Sequence, residues 1–324
     1  MRAAVYHQYG APEVLAVEDV PQPQPREGEV LVRVHASTVC AGDVRLRRAK
    51  PFFLRGISGL WHPTKRPTPG MEFAGTVEQT GPSVTGFARA DSVFGSTGLK
   101  FGANAEYACV AAGPLLVAKP PGLSFEDAAG IPFGGVSALH FLRLAKVGSG
   151  QDVLVYGASG SVGTYAVQLA KILGARVTAV CSTANLGLMA SLGADETIDY
   201  TAQDFSKTGR RYDVVFDAVG KSGFERSVRA LKRGGTYVFA ASGLVAPTLG
   251  KAWCTITGRA RVPSGMARAK PGDLAYLAGL VESGSLRPVI DRCYPLDQIA
   301  EAHRYVESGH KKGVVIIAVG ERDA

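Results

Sequence analysis

Seven residues set between two apolar runs carry the sharpest chemical signal in the chain: Gly157, Ala158, Ser159, Gly160, Ser161, Val162 and Gly163. Residues 153–156 before them have the composition of a short strand. After them Val162, Ala166, Leu169, Ala170 and Leu173 recur at helical spacing, which predicts an amphipathic helix over 161–173. A strand that turns through glycine into a helix leaves backbone amides at the helix N-terminus, where partial positive charge favours an anion. Glycine lets a pyrophosphate approach the backbone and lets the helix pack closely on the strand. A glycine-rich turn alone is common, but here the strand, the helix and a next strand over 176–181 are all present. The run reads as a dinucleotide site.

The end of that next strand bears on which dinucleotide. NAD sites usually place Asp or Glu there to hold the ribose 2′-hydroxyl. Cys181 is followed instead by Ser182, Thr183, Ala184 and Asn185, with no acid among them. Ser182, Thr183 and Asn185 can donate hydrogen bonds to a 2′-phosphate, and Tyr200 and Lys311 are further candidates in space. Ala184 stands where a basic residue would help. The cofactor expected is NADP(H).

These residues need a parallel sheet to hold them. Residues 153–156, 176–181, 213–217 and 236–240 are β-rich runs separated by helical stretches, the pattern of a doubly wound sheet. The preceding part is different: weak alternation over 29–34, runs at 70–77 and 91–94, and loops marked by Pro67, Pro69, Pro120 and Pro121 make it mostly β. A glycine-rich basic stretch over 258–272 reads as a mobile loop. Beyond it come a helix over 274–282, a strand over 288–290, a helix over 296–307 and a strand over 314–319. At 324 residues two domains are expected. They are placed at 123–262 for the cofactor domain, and at 1–122 together with 263–324 for the catalytic domain.

Composition narrows the function classes. No apolar run is long enough to span a bilayer and no secretory leader pattern opens the chain, so no membrane partner is expected. Five dispersed cysteines without a Cys-x-x-Cys pair suit a reducing compartment, and a cytoplasmic location is expected. The net charge of +8 concentrates around Arg45, Arg47, Arg48 and Lys50 without a stacking motif beyond Phe52, Phe53 and Trp61. That reads as a solvated basic surface, or as a lining that attracts an anionic cofactor, and argues against nucleic acid as the partner.

Motifs in order along nearly the whole chain resemble the medium-chain dehydrogenase/reductase superfamily, and within it the zinc-independent quinone oxidoreductase (zeta-crystallin-like) family. Gly10 to Leu15, Gly28 to Val34 and the stretch Pro69, Gly70, Met71, Glu72 through Val77 look like its GroES-like catalytic domain. Asp213 to Gly220 and Gly234 to Phe239 look like later strands of its Rossmann cofactor domain. Ala90 before Asp91 departs from the family's glycine. The resemblance implies an α/β protein with a GroES-like β-rich domain and a doubly wound Rossmann domain, commonly a homodimer joined through edge strands such as 236–241. It also implies that Ser137, Val219 and Phe239 approach the cofactor and that Tyr200 lies near the 2′-phosphate.

The resemblance extends to zinc members, so their ligand positions need checking. Cys40 falls at the first, Met71 at the second and Phe133 about at the third. A thioether is a poor zinc ligand and a phenyl ring is none, so no metal is expected. Without a Lewis acid the implied activity is hydride transfer from NADPH to a quinone or an α,β-unsaturated carbonyl, an electrophile that polarises its own reacting carbon. An enoyl-thioester reductase and a non-catalytic NADPH- or RNA-binding relative are the alternatives. Asp43 is the one catalytic candidate, with pairing to Arg45 or Arg47 as its structural alternative. His140 reads as core, and His303 and His310 as surface.

Overall fold

The computed structural model describes residues 1–64, 67–240, 248–263 and 265–320. The chain divides into two units, Met1–Phe133 with Pro271–Ser283 and Arg287–Ala324, and Gly134–Lys270 with Gly284–Leu286. The texture of the sequence changes near residue 123, whereas the first unit runs on to Phe133. The reason is the helix Phe125–Ala129, which packs on the first unit's sheet. Ser124 caps that helix by accepting the Asp127 N–H.

The first unit is built on strands β1 (Arg2–Tyr6), β2 (Leu15–Asp19), β3 (Glu29–Val39), β4 (Glu72–Thr80), β5 (Ser92–Ser96), β6 (Tyr107–Ala111) and β7 (Leu116–Ala118). β3 is the spine. Its eleven residues pair antiparallel with β4 along much of their length, and its first half also pairs with β6. Two register shifts along the β3–β4 ladder bend it, as bulges do.

The second unit takes the alternating part of the chain: β8 (Asp152–Tyr156), β9 (Arg176–Cys181), β10 (Glu196–Asp199), β11 (Tyr212–Asp217), β12 (Leu231–Phe239) and β13 (Ala260–Arg261). All pair in parallel, in the order β10-β9-β8-β11-β12-β13. Counted within this unit the order is 3-2-1-4-5-6, the dinucleotide-binding arrangement that reverses direction beside its first strand. Val153, Leu154 and Val155 are fully buried, as a central parallel strand requires. β13 falls inside the stretch expected to be a mobile loop. It pairs with Gly235 and Thr236 of β12 and is too short to leave a periodic signal. Ala241, last residue of the expected edge, lies outside the described residues.

The chain then returns to the first unit with β14 (Ile290–Pro295) and β15 (Val314–Ala318), which complete its sheet in the order β14-β15-β3-β4-β5-β7. Pro288 and Val289 precede the ladder, so the strand expected over 288–290 begins only where that expectation ended. The helix Ile299–Glu307 lays Ile299, Ala302 and Val306 into a core that includes Val32, Phe73 and Ile317.

His303 corrects its reading as a surface residue: it is fully buried. With Ile299, Ala302 and Val306 it occupies the i, i+3, i+4, i+7 stripe of that helix, the face that packs inward. Neither of its ring nitrogens has a partner, and the buried Arg47 lies nearby. Arg47 donates to the Gly10 carbonyl at 2.8 Å and to Glu307 at 2.6 Å. Burial, and then the Arg47 charge, push the His303 pKa down to about 3.

The unfolded chain therefore takes up a proton on His303 below about pH 6.5 that the fold refuses until about pH 3. Stability from this group is complete above pH 6.5 and is lost as the pH falls towards 3. At pH 5 the loss is about 2 kcal/mol. Urea unfolding at pH 7.5 and pH 5 measures it, and the drop between the two should shrink by about that amount in His303→Leu.

Candidate functional site

Two groups of residues have the geometry of a working site, one in each unit. In the second, the carboxyl ends of the parallel strands come into line. Tyr156 of β8 stands opposite Val180 of β9 and Asp217 of β11, Cys181 opposite Asp199 of β10, and Asp217 opposite Phe239 of β12. Ligands of doubly wound sheets bind outside such ends, at the point where strand order reverses.

From Tyr156 the chain enters Gly157 at φ 73°, a left-handed conformation that suits glycine. The N–H groups of Gly157 and Ala158 both donate to the Val180 carbonyl at 3.1 Å, which ties the loop to β9. The Ser161–Ile172 helix begins with no side chain capping Gly160, so its first-turn amides remain available. A Cβ on Gly163 would sit 2.3 Å from the Gly157 carbonyl oxygen, so only glycine lets the helix approach. A Cβ on Gly160 would meet nothing nearer than 3.6 Å, and its φ of −78° is open to any residue. The loop is thus tight at its ends and open at its middle, a cradle suited to a pyrophosphate.

The other cofactor candidates of this unit gather round the same edge. Ser159, Ser161 and Val162 are partly exposed. Ser137 is buried one turn along the Pro132–Ala145 helix from Gly134, whose Cβ position is 2.8 Å from both Ser161 Oγ and Tyr165. Val219 arches over the loop: a Cβ on Gly157 would fall 2.6 Å from its side chain. That arch is fastened by Asp217, a fully buried carboxylate that the sequence analysis gave no role. Its Oδ1 accepts the N–H groups of Val219 and Gly220 at 3.1 and 2.7 Å. Its Oδ2 accepts from Ser222 N, Ser222 Oγ and Tyr237 Oη at 3.0, 2.6 and 3.2 Å. Five donors on one buried carboxylate offset its desolvation and fix the strand-to-loop turn. Phe239 is the last residue of β12, with its ring centroid 6.4 Å from that of Tyr237.

At the adenosine end, Ser182 and Thr183 follow β9, and Tyr200 follows β10 with its ring 6.4 Å from Tyr156. Asn185 is buried and donates to Ser182 Oγ at 3.1 Å, which leaves the Ser182 hydroxyl proton free to point elsewhere. No acid stands among residues 181–185, but the fold brings one up to them from the next strand. Parallel pairing sets Asp199 opposite Cys181, and its carboxylate accepts the Thr183 hydroxyl. Hydrogen bonds from Thr183, and then Thr201, hold Asp199 below the usual carboxylate range, so it is charged. Lys311 belongs to the first unit. It donates to the Gly313 carbonyl and lies in the field of Cys40 and Glu72.

In the first unit the second group centres on Glu72. Its Oε2 accepts the Thr38 hydroxyl at 2.7 Å and its Oε1 the Phe133 N–H at 2.7 Å. Asp43, three residues into the Ala41–Arg48 helix, accepts Cys40 N–H at 2.8 Å and Gly70 N–H at 2.9 Å. It fastens the Cys40 turn to the Gly70 turn, while Arg47 donates to Gly10 and Glu307 instead. Cys40 Sγ and Met71 Sδ lie 3.2 and 3.4 Å from the same point, the Cβ position of Gly42. Burial, then the charges of Asp43 and Glu72, push the Cys40 thiol well above its ordinary value, so it is protonated. Burial likewise lifts Glu72 to about 7, against the lowering effects of Thr38 and Phe133.

This donor set does not fit a catalytic zinc. It offers one cysteine, a thioether and a carboxyl group already hydrogen-bonded to Thr38 and Phe133, where catalytic zinc takes three ligands drawn from Cys, His and carboxylate. Among the described residues no three of His, Cys, Asp and Glu are grouped to hold a metal ion.

Residues 26–121 match the family described as "Alcohol dehydrogenase GroES-like domain", and residues 192–317 that described as "Zinc-binding dehydrogenase". The chain is 36% identical to the 2-methylene-furan-3-one reductase of Solanum lycopersicum over 98% of its own length and 79% of that protein's. It is 34% identical to the chloroplastic NADPH-dependent alkenal/one oxidoreductase of Arabidopsis thaliana, with the same coverage. The structure of the quinone oxidoreductase from Coxiella burnetii superposes with a TM-score of 0.88 at 30% identity, covering 99% of each chain. The chain belongs to the medium-chain dehydrogenase/reductase family, in its quinone oxidoreductase group.

Two variants separate the roles of the loop glycines. Gly160→Ala should fold with a loss of about 1 kcal/mol or less, the cost of a poorer cap, yet bind the dinucleotide at least tenfold more weakly. Gly163→Ala should instead lower stability by about 1–3 kcal/mol, since backbone must move. Titration of cofactor by fluorescence, beside thermal melts, reads both. For Glu72, the folded chain keeps a proton that the unfolded chain releases above about pH 4.5, so stability falls as pH rises from 4.5 to 7. Glu72→Gln can accept from Phe133 and donate to Thr38. It should gain about 3 kcal/mol at pH 8 and little at pH 4.5, measured by denaturant unfolding.

Proposed function

We propose that this protein is an NADPH-dependent reductase that passes hydride to a quinone, or to the β-carbon of an α,β-unsaturated carbonyl, with no metal ion taking part. The observation that carries the metal-free reading is the Cys40, Met71 and Glu72 group, which offers one cysteine, a thioether and a carboxyl group already engaged by Thr38 and Phe133. Relatives named for alkenal/one, furanone and quinone reduction support the acceptor class.

Bound NADPH supplies the hydride. The backbone of Gly157–Gly163 would hold the pyrophosphate, and Gly160 leaves the room it needs. Ser182, Thr183, Asn185 and Tyr200 would bind the adenosine end, with the free Ser182 hydroxyl proton directed to the 2′-phosphate. Asp217 holds Val219 over the loop, and Val219 and Phe239 would flank the rest of the cofactor. Asp43 acts in this reading as a positioning residue, because both its oxygens are spent on backbone amides. No side chain of the site is assigned as proton donor, and the proton that completes reduction is assigned to water. An acceptor that brings its own polarisation needs no electrophile from the protein.

We also propose a homodimer formed through the edge of the second unit's sheet. Among the described residues β13 pairs only with Gly235 and Thr236, and no strand pairs with Tyr237–Phe239 on that side. On the helix Thr248–Thr257, Trp253 and Ile256 are 54% and 85% exposed. A second copy would cover both. The free cysteines favour a cytoplasmic site of action.

An assay of NADPH oxidation over quinones, enones and simple alcohols tests the activity. The expected outcome is turnover of quinone or enone, kept in the presence of a chelator, and none of ethanol. Tight NADPH binding without turnover of any acceptor would leave only a binding protein. NADPH should bind at least tenfold more tightly than NADH, about 1.4 kcal/mol. Ser182→Asp should narrow that ratio by repelling the 2′-phosphate, and Asp199→Asn should widen it.

A further inference from the structure

From Val44 to Met71 the chain contains no acidic residue and seven basic ones: Arg45, Arg47, Arg48, Lys50, Arg55, Lys65 and Arg66. Arg47 is buried, while Arg45, Arg48 and Lys50 are exposed. The same segment holds a group of large apolar side chains left in water: Phe52 at 66%, Phe53 at 47%, Leu60 at 54% and Trp61 at 76% exposure. Contiguous aromatics of this size rarely stay uncovered unless they meet something. They are carried by a three-residue turn, Phe52–Leu54, and a single helical turn, Arg55–Ser58. Such short elements offer neither an amphipathic helix face nor a strand edge to a protein partner. Arg55 lies 5.0 Å from the Phe52 ring and 5.1 Å from that of Tyr9, so cation and aromatic are presented together.

We propose that this segment is a docking surface for an anionic lipid bilayer. Phe52, Phe53, Leu60 and Trp61 enter the headgroup layer, and Arg45, Lys50 and Arg55 face lipid phosphates, while Arg48 stays paired with Glu307. The occupant follows from charge and composition taken together. Aromatic rings settle at the boundary between headgroups and acyl chains, and a run of basic residues free of acids is drawn to a negative leaflet. The expectation of no membrane partner rested on the lack of a spanning segment. Among the described residues no helix is long and apolar enough to cross a membrane, but lying on a bilayer needs no span. The inference is independent of the proposed chemistry, though it sets the protein beside the phase in which apolar quinones dissolve.

Co-sedimentation of the full chain with vesicles tests it. Wild type should pellet with phosphatidylcholine vesicles containing phosphatidylglycerol, much less with phosphatidylcholine alone, and should be released by high salt. Phe52→Ser with Trp61→Ser, and separately Lys50→Glu with Arg45→Glu, should each cut vesicle binding at least fivefold. Both pairs should keep the melting temperature and NADPH affinity of wild type. The chain has two tryptophans, so in Trp253→Phe the emission of Trp61 alone should shift to the blue on adding the anionic vesicles. Absence of vesicle binding at low salt overturns the proposal, as does binding that both variant pairs retain. An altered KM for a water-soluble quinone in the aromatic variant, without any vesicle binding, would give the patch to substrate and equally overturn it.

Discussion

The second unit depends on one close approach, that of the Ser161–Ile172 helix to the end of β8. The Cβ position of Gly163 lies 2.3 Å from the Gly157 carbonyl and 2.7 Å from that of Ala158, closer than any side chain could stand. Only because that approach is permitted do the first amides of the helix sit directly after the strand, where an anion can meet them. The same crowding sets the other side of the loop, where Val219 fills the space a Gly157 side chain would take. Val219 can stand there because Asp217 gathers the N–H groups of Val219, Gly220 and Ser222. Two glycines and one buried carboxylate thus determine a loop whose open middle, at Gly160, is what remains for a ligand.

What the sequence made legible was local. The helix after the glycine run begins where the periodicity of Val162, Ala166 and Leu169 begins, and the strand Arg176–Cys181 has the expected bounds. Three features needed contacts between residues distant in sequence. Asp199 reaches Thr183 only through the parallel pairing of β9 with β10. β13 exists only as a partner of β12. Lys311 offered a free cation on paper, but packing places it near Glu72 and Cys40. His303 is the exception, because its signal was present. Glu301, Arg304 and Glu307 give the helix a charged look, yet the spacing from Ile299 through His303 to Val306 marks the buried face.

The two titrating groups buried in the first unit set its stability against pH in opposite senses. His303 resists gaining a proton, so the fold weakens on the acid side of pH 6.5, and Glu72 resists losing one, so it weakens as pH rises to 7. Both shifts come first from burial, and neither group has an opposite charge close enough to cancel it. A hydrophobic residue at either place would serve packing better. For Glu72 the geometry supplies a reason to keep a carboxyl. It bridges Thr38 on β3 to the Phe133 amide, at the point where the Pro132–Ala145 helix begins.

That bridging has a chemical consequence. A carboxylate that accepts from Thr38 and Phe133, and a second that accepts from Cys40 and Gly70, each have both oxygens engaged in holding the fold. The neighbouring sulfur atoms are a protonated thiol and a thioether, neither of which polarises a carbonyl. The acids of this site are therefore engaged in holding turns in place rather than set aside to act on a carbonyl. An alcohol bound there would keep its ordinary hydroxyl pKa and resist giving up hydride. A quinone or an enone carries its electron deficiency within itself, so alignment with the cofactor and exclusion of water are what it still needs from a protein. Rigid turns fixed by buried hydrogen bonds supply the first of these directly.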